Sequence, residues 1–237
     1  MEPTARYEDV EIPLEEPQHG LTAVSGVLGV PEWWPTGARI GVVIAHAGGR
    51  DQNDPVVAGL HRGLTERKIL ALRFNFPFAE AKRPRPDPVA VLERTFRAAV
   101  TVLGRDATAA PAHLFIGGIG LGAQVAAQAA ARLRASGVFL IGYPLHTRDR
   151  PNQNVKADPL YRLVSPLLFL QGSRDRYCNL DALRSTLTRV GTVKALHVVE
   201  HADGHMAAPK RSGRTQDEIT QELLGALDAW FQQVVQS

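Results

Sequence analysis

Phe115-Ile116-Gly117-Gly118-Ile119-Gly120-Leu121-Gly122-Ala123 is the stretch whose reading decides the fold. An apolar run, Leu114-Phe115-Ile116, ends in glycines, and an alanine-rich helical stretch from Gln124 to Arg134 follows at once. The pattern reads as a strand, a very tight turn and a helix. Two kinds of site use that geometry. One presents a nucleophilic serine on the turn, spaced by glycines so that strand and helix clear it. The other brings glycine backbone against a dinucleotide pyrophosphate. Here the serine position holds Gly120.

Outward from this turn, the chain alternates between apolar runs and amphipathic stretches. Before it, Tyr7 to Leu14 and Leu21 to Val30 read as two strands joined by a turn at Pro17 to Gly20. Arg39 to His46 and Lys68 to Phe74 are apolar enough to be strands buried on both faces. Pro55 opens a helix with Val57, Leu60 and Leu64 on one side. Asp87-Pro88 reads as the cap and first turn of a helix to Leu103. After the turn come strands at Gly137 to Tyr143, Pro166 to Gln171 and Lys194 to Val199, and a helix at Asp181 to Val190. Thr215-Gln216-Asp217-Glu218 is a capping box for a terminal helix that buries Ile219, Leu223, Leu227 and Trp230. This order predicts a mostly parallel sheet of about eight strands with helices on both faces, entered through an antiparallel pair.

Composition fits that reading. With 237 residues, 44% hydrophobic and 22% charged, the chain is expected to be one domain over residues 1–237 with an ordinary buried core. Net charge is only +3 and the signs are interspersed, so nucleic acid is not an expected partner. The densest basic stretch, Lys82-Arg83-Pro84-Arg85, is broken by proline and lacks interleaved aromatics. No run approaches the roughly 20 apolar residues of a membrane span, and Met1-Glu2-Pro3-Thr4 shows no basic leader before an apolar core. Cys178 is the only cysteine, which excludes an intrachain disulfide and points to a reducing, cytoplasmic setting.

In such a sheet, chemistry gathers in loops at the carboxyl ends of the strands. A serine hydrolase needs nucleophile, acid and histidine in that chain order. Asp175, in Gln171-Gly172-Ser173-Arg174-Asp175, fills the acid slot, and His205, in His201-Ala202-Asp203-Gly204-His205, fills the histidine slot. The N–H of Leu121, with Ala47 or Gly48 after the third strand, supplies an oxyanion site. His46, Phe76, Tyr143, His146 and Cys178 stand on or beside the same loops and are expected to line the pocket. The spacing of His201, Asp203 and His205 does not make a metal site, because Gly204 in a loop gives the histidines no shared helical face; no metal and no cofactor are expected.

The nucleophile is the gap. Ser25, Ser136, Ser165, Ser185, Ser212 and Ser237 lie far from the expected turn, and Ser173 is on the acid loop. Cys178 is the one displaced alternative, a thiolate near His205 being reactive. The dinucleotide reading fares worse. Gly118-Ile119-Gly120-Leu121-Gly122-Ala123 matches G-x-G-x-x-A, but on the fifth strand rather than the first, and the next strand ends in Gly142-Tyr143-Pro144 with no acidic residue for a ribose. A P-loop lacks its Gly-Lys-Ser/Thr.

From about Ile40 to the C-terminus the chain resembles the small α/β-hydrolases related to dienelactone hydrolase. The resemblance is carried by Arg73-Phe74-Asn75-Phe76-Pro77, Arg83 to Pro88, Gly142-Tyr143-Pro144-Leu145-His146 and Gln171-Gly172-Ser173-Arg174-Asp175. The family elbow, roughly Gly-Gly-Lys-Ser-Met-Gly-Gly, falls on Gly117 to Ala123 and puts the nucleophile at Gly120. Its histidine motif, about Asp-His-Ser, falls near Gly204-His205-Met206. The resemblance implies an α/β-hydrolase fold without a large lid domain, the loop from Pro144 to Val164 being the nearest thing to a cover. It supports Asp175 and His205 as acid and base. The group also resembles hydrolase-like subunits of chromatin complexes, which implies that non-catalytic uses of the scaffold are open to it. Three classes of function follow: a hydrolase-derived protein with its acyl-enzyme route lost or severely weakened, a small-molecule or protein binding module, and a hydrolase using Cys178 or a water activated by His205.

Overall fold

The computed structural model describes residues 5–150, 153 and 156–236. The N-terminal reading of Met1 to Thr4, and part of the expected cover between Pro144 and Val164, lie outside the described residues. Strands β1 (Arg6–Gln18) and β2 (Leu21–Val30) form a hairpin, followed by β3 (Ile40–Ala45), α1 (Pro55–Glu66) and β4 (Leu70–Phe74). A short α2 (Pro77–Glu80) precedes α3 (Val89–Leu103), β5 (His113–Ile119) and α4 (Leu121–Ala129). Then come β6 (Gly137–Ile141), β7 (Leu167–Gly172), α5 (Leu180–Leu187), β8 (Lys194–Val199) and α6 (Gln216–Val235). One sheet holds all eight strands in the order β1-β2-β4-β3-β5-β6-β7-β8. β1–β2 and β2–β4 are antiparallel, and the other pairs are parallel.

The apolar runs are explained by a core on each face. In β3, Val43 and Ala45 join the core under α3 and α4, while Val42 and Ile44 face α1 and α6. In β7, Leu167 and Phe169 alternate with Leu168 and Leu170 in the same way. A strand with helices on both sides has no polar face, so its sequence is continuously hydrophobic. Burying one such Leu or Phe contributes about 1.5–3 kcal/mol.

Most elements lie where periodicity places them, with instructive exceptions. Asp87 does not cap α3: Pro88 holds the cap position without a side-chain bond, and Asp87 instead meets His19 at 2.6 Å. The nearly buried carboxylate is thereby spent on tying the β1–β2 turn to the α3 approach. The alanine-rich helix begins at Leu121 and passes into a 3₁₀ turn at Ala130–Arg132, earlier at both ends than its composition implies. The capping box is formed as expected: the Thr215 hydroxyl accepts from Glu218 N–H, and the Glu218 carboxylate accepts from Thr215 N–H.

The chain leaves β3 for β4 on one side and returns to β5 on the other, so the carboxyl ends of β3 and β5 flank the switch point where α/β sheets open a crevice. Ala45 lies beside Gly118. A Cβ at Gly122 would stand 2.5 Å from Ala45 O and 2.7 Å from His46 O, backbone atoms that cannot yield. Gly122→Ala should therefore cost about 3 kcal/mol or more, at the upper end for overpacking. Gly225, exposed on α6 with open space around its Cβ position, should respond oppositely, Gly225→Ala stabilising by about 0.5–1 kcal/mol. Urea denaturation of both variants checks the contrast.

Candidate active site

At the end of β5 the backbone turns sharply through Gly120, which has φ 56° and ψ −110° and serves as the N-cap of α4. Its N–H donates to Ile141 O at 2.9 Å, fastening the turn to β6. A Cβ here would clear its surroundings, with Ala47 Cβ at 3.5 Å and Ala47 Cα at 4.0 Å. The conformation is strained for an L-residue, but the space is open. Leu121, the first residue of α4, has an N–H with no intrahelical acceptor. Gly48 approaches it from the β3 loop, its Cβ position 3.6 Å from Leu121 Cβ.

These residues form one wall of a cleft of about 740 Å³, which is also lined by Asp175, His201, Asp203, Gly204 and His205. The structure thus brings together Gly120, Leu121, Ala47, Gly48, Asp175 and His205. The loop after β8 can settle on the sheet edge because of two more glycines. Gly142 adopts φ 54° and leaves no room for a Cβ beneath Gly204 O, and Gly172 lies equally close under Ala202 O and Asp203 O.

Asp175 and His205 share the cleft without a hydrogen bond between them among the described residues. One Asp175 oxygen accepts from Gln171 Nε2 at 2.7 Å and the other from Tyr177 N–H at 2.8 Å. Burial pushes the Asp175 carboxyl above its ordinary pKa; the Tyr177 and Gln171 bonds oppose the rise, Asp203 adds to it, and His205 opposes it through space. His205 is exposed, and its backbone N–H donates to Asp203 Oδ1 at 2.8 Å. The residue that faces the carboxylate is its neighbour. A Cβ built on Gly204 would lie 2.7 and 2.8 Å from the two Asp175 oxygens, and Gly204 lies outside the left-handed region that only glycine favours.

Five expected pocket residues are not on the cleft wall. His46 is fully buried: its Nε2 accepts from Phe76 N–H at 3.1 Å, which puts the proton on Nδ1, the donor to Ala47 O at 2.8 Å. Burial holds its pKa below the ordinary value. His146 repeats the arrangement, accepting from Asn179 N–H at 3.0 Å and donating to Thr147 O at 2.9 Å. Both rings are loop staples rather than free bases. Phe76 packs edge-on to His46, with ring centroids 5.1 Å apart. Tyr143 is buried and donates to Lys156 O at 2.7 Å. Cys178 is 2% exposed, and burial, with Asp175 nearby, pushes its thiol up to about 12. In their place the cleft carries Gln124, Arg148, Lys156, Arg174 and Arg176. Arg174 and Arg176 flank Asp175 in sequence and could have been named; nothing in the sequence marks Lys156. Among the described residues, no group of three His, Cys, Asp or Glu side chains could hold a metal ion, and no helix is long and apolar enough to cross a membrane.

The architecture is shared with solved hydrolases. The structure is similar to a dienelactone hydrolase from Anabaena variabilis (TM-score 0.73, 17% identity, covering 97% of this chain and 98% of that one). It is also similar to an α/β serine hydrolase without a lid from Xanthomonas campestris (TM-score 0.71, 19% identity, 96% and 97% covered). An esterase domain from a Rhodothermus marinus protein is comparable (TM-score 0.70, 18% identity, 97% and 100% covered). At these identities the likeness is one of fold. A family model described as "Alpha/beta hydrolase domain" matches residues 38–232, from the approach to β3 into the last turns of α6. The chain belongs to that α/β-hydrolase family.

Proposed function

We propose that this chain is a hydrolase-derived protein whose acyl-enzyme route is lost and whose cleft serves as a ligand-binding site. The observation that carries the reading is Gly120, standing on the strained turn where a nucleophile belongs, with room for a side chain and none present. Gly204 extends it. A Cβ at 204 would crowd both Asp175 oxygens, so the carboxylate lies against backbone there and no imidazole among the described residues reaches it. A triad aspartate acts by fixing the tautomer of its histidine and stabilising the imidazolium. With no hydrogen bond to Asp175, His205 has its tautomer fixed by no carboxylate and keeps only a through-space attraction to it. That argues against a His205-activated water as well as against an ordinary triad.

Cys178 is weaker still as a nucleophile. A thiol pushed up to about 12 is thiolate to only about one part in 10⁵ at pH 7. It should resist iodoacetamide in the native protein and react on denaturation. Rapid stoichiometric alkylation at neutral pH, with a ligand-sensitive rate, would contradict its assignment as buried and inert.

The central test restores the missing groups one at a time. The parent should escape a fluorophosphonate probe and hydrolyse p-nitrophenyl acetate no faster than its Asp175→Asn variant. Gly120→Ser alone supplies a serine with no partnered base and should gain little. Adding Gly204→His, which obliges the Asp175 carboxylate to shift outward, should raise hydrolysis by about 10²-fold or more over the serine variant, the usual reach of a general base. Thermal denaturation establishes that each variant is folded. Parent esterase activity abolished by His205→Ala would sink the proposal. A Gly120→Ser variant made fully active through His205 would leave Gly120 as the sole lesion and remove Gly204 from the account.

A further inference from the structure

Lys156 is a cation held at the junction of two cavities without a counter-charge. Its backbone is fixed at both ends: its N–H donates to Leu145 O at 3.3 Å, and its carbonyl accepts from the buried Tyr143 hydroxyl at 2.7 Å. Its side chain is partly buried, and burial lowers the ammonium pKa. The Nζ meets Gln124 Oε1 at 3.4 Å, the outer limit of a hydrogen bond, and no carboxylate among the described residues comes within ion-pairing distance. Lys156 and Gln124 line both the 740 Å³ cleft and a second cavity of about 510 Å³, whose carboxylates Glu93 and Asp158 make no ion pair with Lys156. Withdrawing an ammonium from water without a partner is unfavourable, and an incoming anion would offset that cost.

The rest of the cleft carries three more cations against two carboxylates, Asp175 and Asp203. Arg148, Arg174 and Arg176 stand around it, and among the described residues none is paired with a carboxylate. The two carboxylates present are occupied internally. Asp175 is held by Gln171 and Tyr177, and Asp203 Oδ1 accepts from His205 N–H and Ala207 N–H at 2.8 and 3.0 Å. The same cleft has apolar lining from Leu121, Pro144, Ala208 and Pro209. A cleft with a half-buried cation, exposed arginines and apolar lining matches one kind of small molecule.

We propose that the cleft binds a small organic anion, a carboxylate or phosphate head group carried on an apolar body, with Lys156 as the anchor for the head and Leu121, Pro144 and Ala208 against the body. The inference rests on the reading of the cleft as a binding site and assigns its ligand class. The exposed arginines serve capture, since exposed charges raise the rate of encounter more than the strength of the complex.

The test uses the full chain and four probes: benzoate and phenyl phosphate, which carry the two head groups, and benzamide and benzyl alcohol as uncharged counterparts. Thermal shift and titration calorimetry should detect benzoate or phenyl phosphate, the stronger of the two identifying the head group. The uncharged probes should bind at least about tenfold more weakly. Lys156→Met should weaken the anion by a similar factor, about 1.4 kcal/mol, and Lys156→Arg should retain it. Equal shifts from charged and uncharged probes, or a Lys156→Met protein that binds the anion like the parent, would overturn the proposal. The two readings fail separately. Ester hydrolysis by the parent refutes the loss of chemistry while leaving anion binding through Lys156 intact; absence of anion binding refutes the ligand class while leaving the missing nucleophile untouched.

Discussion

Backbone meets backbone where α4 presses on the end of β3. Gly118 and Gly122 lie so close to the Ala45 carbonyl that neither position admits a Cβ. The contact lets the chain reverse within a single residue, and it pushes Gly120 out over the crevice opened by the strand order. The remaining parts of the cleft are arranged from there. Ala47 and Gly48 come to the turn because β3 is the neighbour of β5, and Leu121 offers its N–H because the helix starts at once. On the far side, Gly142 and Gly172 repeat the device and let the loop after β8 lie directly on the sheet edge. The site is therefore a consequence of glycines that permit close approach, and its shape survives whether or not the turn carries a reactive side chain.

That separation of shape from chemistry gives the glycine at position 120 a physical meaning. A residue with a side chain at φ 56°, ψ −110° carries strain of about 1–3 kcal/mol, which an enzyme tolerates in exchange for an exposed nucleophile. Glycine removes most of that cost. The same holds one loop away, where the absence of a side chain at Gly204 lets the carboxylate of Asp175 lie against backbone and take its hydrogen bonds from Gln171 and Tyr177. The proposed evolution of the site toward binding is thus accompanied by a relief of strain, while the charges around the cleft remain available to a ligand.

Much of this was legible in the sequence, for identifiable reasons. Buried parallel strands leave continuous apolar runs, so β3 and β7 are legible to within one residue at each end and the sheet class follows. The capping box at Thr215 is a local interaction and was readable for that reason. Asp87 was misread because a cap motif competes with long-range partners, and His19, 68 residues away, wins the carboxylate. The lining of the cleft is less legible. His46 and His146 sit on loops of the right kind, but sequence does not tell which way a ring points, and both turn inward to bind backbone. His205 shares the cleft with Asp175, and which way its ring turns depends on the loop geometry, with positive φ at His201 and Met206, rather than on its residue type.

The most direct measurement is the proton NMR spectrum of the parent protein with ¹⁵N-labelled histidine, recorded at a pH low enough to protonate exposed imidazoles. A histidine that donates Nδ1–H to a buried catalytic carboxylate gives a proton resonance displaced far downfield, whereas a histidine without that partner gives none. The account predicts no such resonance from His205, either in the parent or in the Asp175→Asn variant. A far-downfield His205 proton that disappears in Asp175→Asn would show an assembled acid–base pair and contradict the claim that this cleft has lost its catalytic machinery.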